Sequence, residues 1–152
     1  MIEELMSYTG KFEGAGLNHD QEKFTGILVL SSAVNGKGVA INFTAKGDNG
    51  EIFHEEQTLI APNESHSWSL WTLNNNVPYA YEHHFIEVPK AEGAKVSFGF
   101  AHNNLEDANK FRETIVIDLY ESGDIGYRYA WGLPGAEFKE RSGLMLFKVN
   151  KT

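Results

Sequence analysis

Cysteine is absent from the 152 residues, which removes thiol nucleophiles, thiolate metal ligands and disulfide staples, and fits a reducing compartment. The fold must be held by its core, and a chain of this length buries about two thirds of the surface that its unfolded form exposes. Positive charge is also short. Thirteen Lys and Arg against twenty-one Asp and Glu leave a formal net charge of -8, which opposes nonspecific attachment to nucleic acid or to an anionic membrane. No window approaches the ~20 consecutive apolar residues of a membrane helix. The start, Met1 to Met6, is acidic and too short in apolar run for a signal peptide. A cytoplasmic protein is expected, with no nucleic-acid or membrane partner. No G-x-S-x-G, H-E-x-x-H or G-x-x-x-x-G-K-[ST] occurs, so nucleophile-elbow hydrolase, zincin and P-loop readings have nothing to stand on. Linkers, internal repeats and low-complexity tracts are missing too, and one domain over 1–152 is expected.

What is present is glycine, at fifteen residues, with ten Phe, six Tyr and three Trp, a mixture that suits tight turns between aromatic-rich strands. Turn signals recur along the chain, among them Asn35-Gly36, Gly47-Asp48-Asn49-Gly50, Asn74-Asn75-Asn76 and Leu133-Pro134-Gly135. Between them the spacing predicts strands over 7–16, 22–34, 37–46, 51–60, 65–73, 79–88, 94–102, 111–121, 124–132 and 138–149. Helix is predicted only as a turn or two at 2–8 and again around 105–109. Short hairpin connections favour consecutive antiparallel pairing, and ten such strands avoid exposed edges by closing. The expected fold is all-β, a single antiparallel up-and-down β-barrel of about ten strands. Gly10, Phe12, Gly14 and Gly16 share one strand face. Three glycines on one face mark a bend or a close backbone approach, the reading preferred here to a phosphate loop, which would need a helix to follow.

A barrel of this size stands where the interior changes from packed side chains to a ligand cavity. Aromatic residues share faces on several strands, and Tyr79, Tyr81, His83, Phe98, Phe100, Tyr127, Tyr129 and Trp131 are the candidate lining of an interior pocket for a small apolar or aromatic ligand. The same rings could equally fill the barrel as core. The six histidines raise acid–base or metal chemistry as the alternative. His54 and Glu56 stand two apart on one face, and His66 or one of His83 and His84 could join them if register allowed. No H-x-H of the cupin kind exists, so no metal and no cofactor is assigned, and His54, Glu56 and His66 stand only as candidates. Arg112, Arg128 and Arg141 are read as outward-facing ion pairs in preference to a head-group clamp for an acidic ligand. A third reading gives the barrel no ligand and an outer face that assembles, for instance as a homodimer.

With Gly10-Lys11-Phe12-Glu13-Gly14-Ala15-Gly16 and ten strands in view, the chain resembles the calycin superfamily. It is most similar there to lipocalin-like bacterial domains of unknown function and to nitrobindins, which open with G-x-W-x-G-x-G. Phe12 stands in place of the tryptophan. The resemblance implies a roughly ten-stranded antiparallel barrel. Only Leu17 to Gln21 follow the first strand, leaving no room for the helical lid of fatty-acid-binding proteins. Nitrobindins hold haem iron through a late histidine, whereas no histidine follows His102 here, so a nitrobindin-like barrel without the haem histidine is expected.

Overall fold

The structure, a computed structural model, describes residues 1–150. A short helix, α1 (Ile2–Met6), precedes ten strands: β1 (Gly10–Leu17), β2 (Lys23–Ala33), β3 (Gly38–Gly47), β4 (Ile52–Pro62), β5 (Trp68–Asn74), β6 (Tyr81–Ile86), β7 (Val96–His102), β8 (Arg112–Leu119), β9 (Ile125–Gly132) and β10 (Lys139–Lys148). Each pairs antiparallel with its chain neighbours, and β1 also pairs with β10 to close the barrel. All ten expected strands are present. The expected helical turn near 105–109 is instead two successive turns, in which the Asn104 and Asp107 side chains accept the N–H groups of Glu106 and Asn109. Those local bonds satisfy donors that a helix would have used.

Alternation decides what faces inward. Phe24, Leu28 and Leu30 on β2, Val39, Ile41 and Phe43 on β3, and Ile115, Ile117 and Leu119 on β8 are all buried in one core. Closure is where the N-terminal glycines act. Ladder pairing between β1 and β10 is confined to Phe12 with Lys148 and Glu13 with Phe147. Just beyond it, a Cβ at Gly14 would overlap the Met145 carbonyl oxygen, and one at Gly16 would lie 2.7 Å from the Phe24 ring. The glycine run therefore lets β10 cross β1 at backbone distance.

The two ends differ. At one, α1 lies across the opening with Leu5 fully buried, Met6 against Gly36, Glu4 paired with Lys95 and the Tyr8 hydroxyl donating to the Tyr120 carbonyl at 2.6 Å. These contacts belong to the 34–37, 87–95 and 120–124 connections. The other end, ringed by 18–22, 48–51, 75–80, 103–111 and 133–138, carries no such plug among the described residues. Among those residues no helix is long and apolar enough to cross a membrane.

Candidate functional site

A cavity of about 760 Å³ opens at the unplugged end. Its walls carry the rings of Phe43, Phe53, Tyr81, Phe111, Tyr129 and Trp131, and its floor and rim carry His54, Asn74, Glu113 and Ser142. A bulge in β10 between Glu140 and Ser142 sets part of the wall. It returns Ser142 to register opposite Tyr129 and leaves Arg141 stacked on Trp131, 4.3 Å from the ring centroid.

Two carboxylates stand in the interior, and their surroundings differ. Glu56 on β4 is 2% exposed and takes four donors: the hydroxyls of Tyr127 and Tyr129, and at 3.4 Å each the Thr72 hydroxyl and His54 Nε2. Thr58 donates in turn to Thr72 at 2.9 Å, and Asn76 Nδ2 reaches His54 Nδ1 at 3.0 Å. One tautomer serves both contacts of His54, with Nδ1 accepting and Nε2–H donating. Burial pushes the Glu56 carboxyl up, but the hydrogen bonds from His54, Tyr127 and Tyr129 leave it below its ordinary value.

Glu113 on β8, 6% exposed, accepts Tyr81 OH and His83 Nε2 at 2.8 Å each, and both land on the same oxygen, Oε1. Tyr81 is oriented by Asn74 Nδ2, 3.2 Å from its hydroxyl, and Asn74 Oδ1 accepts the N–H groups of Asn76 and Val77 in the mouth loop. Among the described residues His83 Nδ1 is buried without a partner, as the unprotonated nitrogen of a ring that donates through Nε2. Burial, with Glu113 beside Tyr81 and Glu56 beside Tyr127 and Tyr129, raises all three phenols above their ordinary value.

Those raised phenols make an alkaline prediction. Above pH ~10 the unfolded chain releases these protons while the folded one keeps them, so the unfolded state binds fewer and stability falls as pH rises. Three tyrosines give a slope of about 4 kcal/mol per pH unit once all are ionised in the unfolded chain. Urea titrations from about pH 9 to 12 should show it, with a shallower slope in Tyr129→Phe. A pH-independent midpoint over that range would contradict the burial of these hydroxyls.

Of the residues singled out in the sequence, Tyr81, Tyr129 and Trp131 line the cavity. Tyr127 and His83 lie below it, bonded to the two carboxylates. Phe98 and Phe100 belong to the packed core, Phe100 edge-on to Phe85. Tyr79 is a correction: it precedes β6, is 62% exposed and is not among the residues lining the cavity, its ring lying edge-on to Tyr81. His54 and Glu56 do meet, but His66 sits in the 63–67 turn at the plugged end and His84 on the outer face, so the candidate metal set is not brought together. No group of three or more metal-ligating side chains converges among the described residues. Arg128 forms the expected outward pair, two bonds of 2.7 and 3.0 Å to Asp118. Arg112 and Arg141 correct that expectation: both donate to backbone carbonyls, of Lys110, Leu133 and Ala136 and of Trp131 and Glu137 respectively, and so hold the 133–138 mouth loop. The sequence reading missed Glu113 as a site residue. Its signal was a lone carboxylate in phase with Ile115, Ile117 and Leu119.

Comparison with known proteins adds the fold. No protein-family profile matches the chain, and no curated protein matches it significantly. Among solved structures, Rv2717c from M. tuberculosis superposes with a TM-score of 0.73 over 98% of this chain and 97% of its own, at 9% sequence identity. At that identity the likeness establishes a shared barrel architecture and nothing further.

Proposed function

We propose that this protein is a calycin-like barrel that binds a small, largely apolar or aromatic ligand in the cavity at its open end. The observation that carries the reading is the cavity: about 760 Å³, within the usual range for small-molecule pockets, walled by rings and floored by a few fixed polar groups. The plug at one end and arginine-held loop at the other give it a rigid frame, and rigidity lowers the ordering cost of binding. The alternative, acid–base or metal chemistry on His54 and Glu56, has less support. Both ring nitrogens of His54 are engaged, and Glu56 already takes four donors.

The test is a thermal-shift panel of small cyclic and aromatic compounds on the wild-type chain and on Ser142→Phe, which puts a ring into the cavity. Hits should raise the wild-type melting temperature by several degrees at saturating ligand, since 100-fold excess over Kd adds about 2.7 kcal/mol. The same hits should leave Ser142→Phe unshifted. Equal shifts in both proteins would place binding elsewhere.

A further inference from the structure

We infer that the cavity selects organic cations, specifically a protonated amine carried on an aromatic or cyclic body, with Glu113 as its counter-charge. This deepens the ligand-binding reading above and rests on it.

The contrast between the two interior carboxylates carries the argument. Glu56 has both oxygens taken by protein donors, so it has little left to offer a ligand. Glu113 is nine-tenths buried yet lines the cavity, and its two bonds fall on Oε1 alone. Oε2 receives no hydrogen bond from the described residues. That oxygen is left to the cavity, where an ammonium N–H can give it a short, charge-assisted bond. Arg112, next in sequence, turns to the opposite face, where Nη1 and Nη2 donate to backbone carbonyls and Nε is buried without a partner among the described residues.

The route to Glu113 is built for the same chemistry. Trp131 is its direct cross-strand partner on β9, Phe111 is two residues earlier on the same face, and Tyr81 is bonded to it. A cation reaching Oε2 comes into an aromatic setting, in which π-systems can attract positive charge. Asp20, Glu22 and Glu51 also line the cavity, against Arg141 as the one arginine or lysine among the lining residues. Arg141 is already stacked on Trp131 and bonded to two carbonyls. With the chain at a formal charge of -8, the field at the mouth draws cations and repels carboxylate ligands.

Isothermal titration of the full chain with three ligands of one shape separates charge from fit: tryptamine, the neutral indole-3-ethanol and the anionic indole-3-propionate. Tryptamine should bind at least about tenfold more tightly than the alcohol, and the acid most weakly. Glu113→Gln keeps an acceptor oxygen for Tyr81 and His83, and should bring tryptamine to within about twofold of the alcohol while leaving the alcohol's Kd nearly unchanged. The wild-type ranking tests the inference even if that variant folds poorly. Equal affinities, a preference for the acid, or a folded Glu113→Gln that still prefers the amine would overturn it. If the alcohol binds and the amine has no advantage, the ligand-binding reading survives and the cation does not. If none of the three binds but the thermal-shift panel yields mouth-directed hits without a charge, the outcome is the same. If neither gives binding, both readings fall.

Discussion

A Gly14→Ala protein is expected to lose about 3 kcal/mol or more of stability, at or beyond the upper end for overpacking, because the added methyl would overlap a carbonyl oxygen. Side chains can rotate away from an intruding methyl, but the Met145 oxygen is fixed in β10, whose ladder with β1 is already short. The movement available is to push the two strands apart, which opens the barrel at its seam. Gly26→Ala is the matched control. There the new Cβ meets the Leu144 Cδ1 methyl at 2.5 Å, at the far end of a side chain that can shift, and a cost of about 1 kcal/mol is expected. Thermal unfolding of the pair reads the difference directly, at roughly 2–4 °C per kcal/mol for a chain of this size. Equal melting temperatures would show that the seam is not set by glycine.

Glu56→Gln should be comparably severe, at about 3 kcal/mol, for a chemical reason and not a steric one. The carboxylate accepts from Tyr127, Tyr129, His54 and Thr72 at once. An amide presents an NH2 group to some of those donors and leaves at least one buried hydroxyl unpaired. Adding Tyr129→Phe to Glu56→Gln should recover part of the loss, since it removes a stranded donor, and a double-mutant cycle measures that coupling. The pH dependence gives a second signature. The folded Glu56 carboxyl lies below its ordinary value, so its contribution is present above the unfolded value of about 4.3 and lost as pH falls through the folded one. The gap between wild type and Glu56→Gln should therefore narrow in acid. Purely additive effects in the cycle would mean that these groups do not act as one network.

The architecture was legible because strand alternation and turn chemistry are local. Val39, Ile41, Phe43 and Ala45 show their inward phase without any knowledge of their neighbours, and all four are buried. The glycines of β1 pointed to a close approach, though not to Met145 as the group approached. Height along the barrel was not legible. Period two assigns a face, whereas depth depends on the stagger between strands, which no single strand encodes. Phe98 and Tyr129 therefore looked equivalent in the sequence, yet one is packed core and the other lines the cavity. Tyr79 failed for a different reason. Its alternation with Tyr81 stops at the loop that Asn74 folds by accepting from Asn76 and Val77, before β6 begins. Glu113 was not singled out, although its phase with three buried aliphatic residues already placed it inside.

Under the proposed function, the open end of the barrel, above the two carboxylates, receives a small molecule. Amide and side-chain NMR shifts on titrating the isotope-labelled chain with indole, a neutral aromatic probe, locate binding directly. Perturbations are predicted at the Trp131 indole, Phe53, Val77 and Ser142, with Leu5 and Tyr8 at the plugged end unmoved. Saturable shifts confined to the outer face of β3 to β5, or none up to the probe's solubility limit, would contradict it.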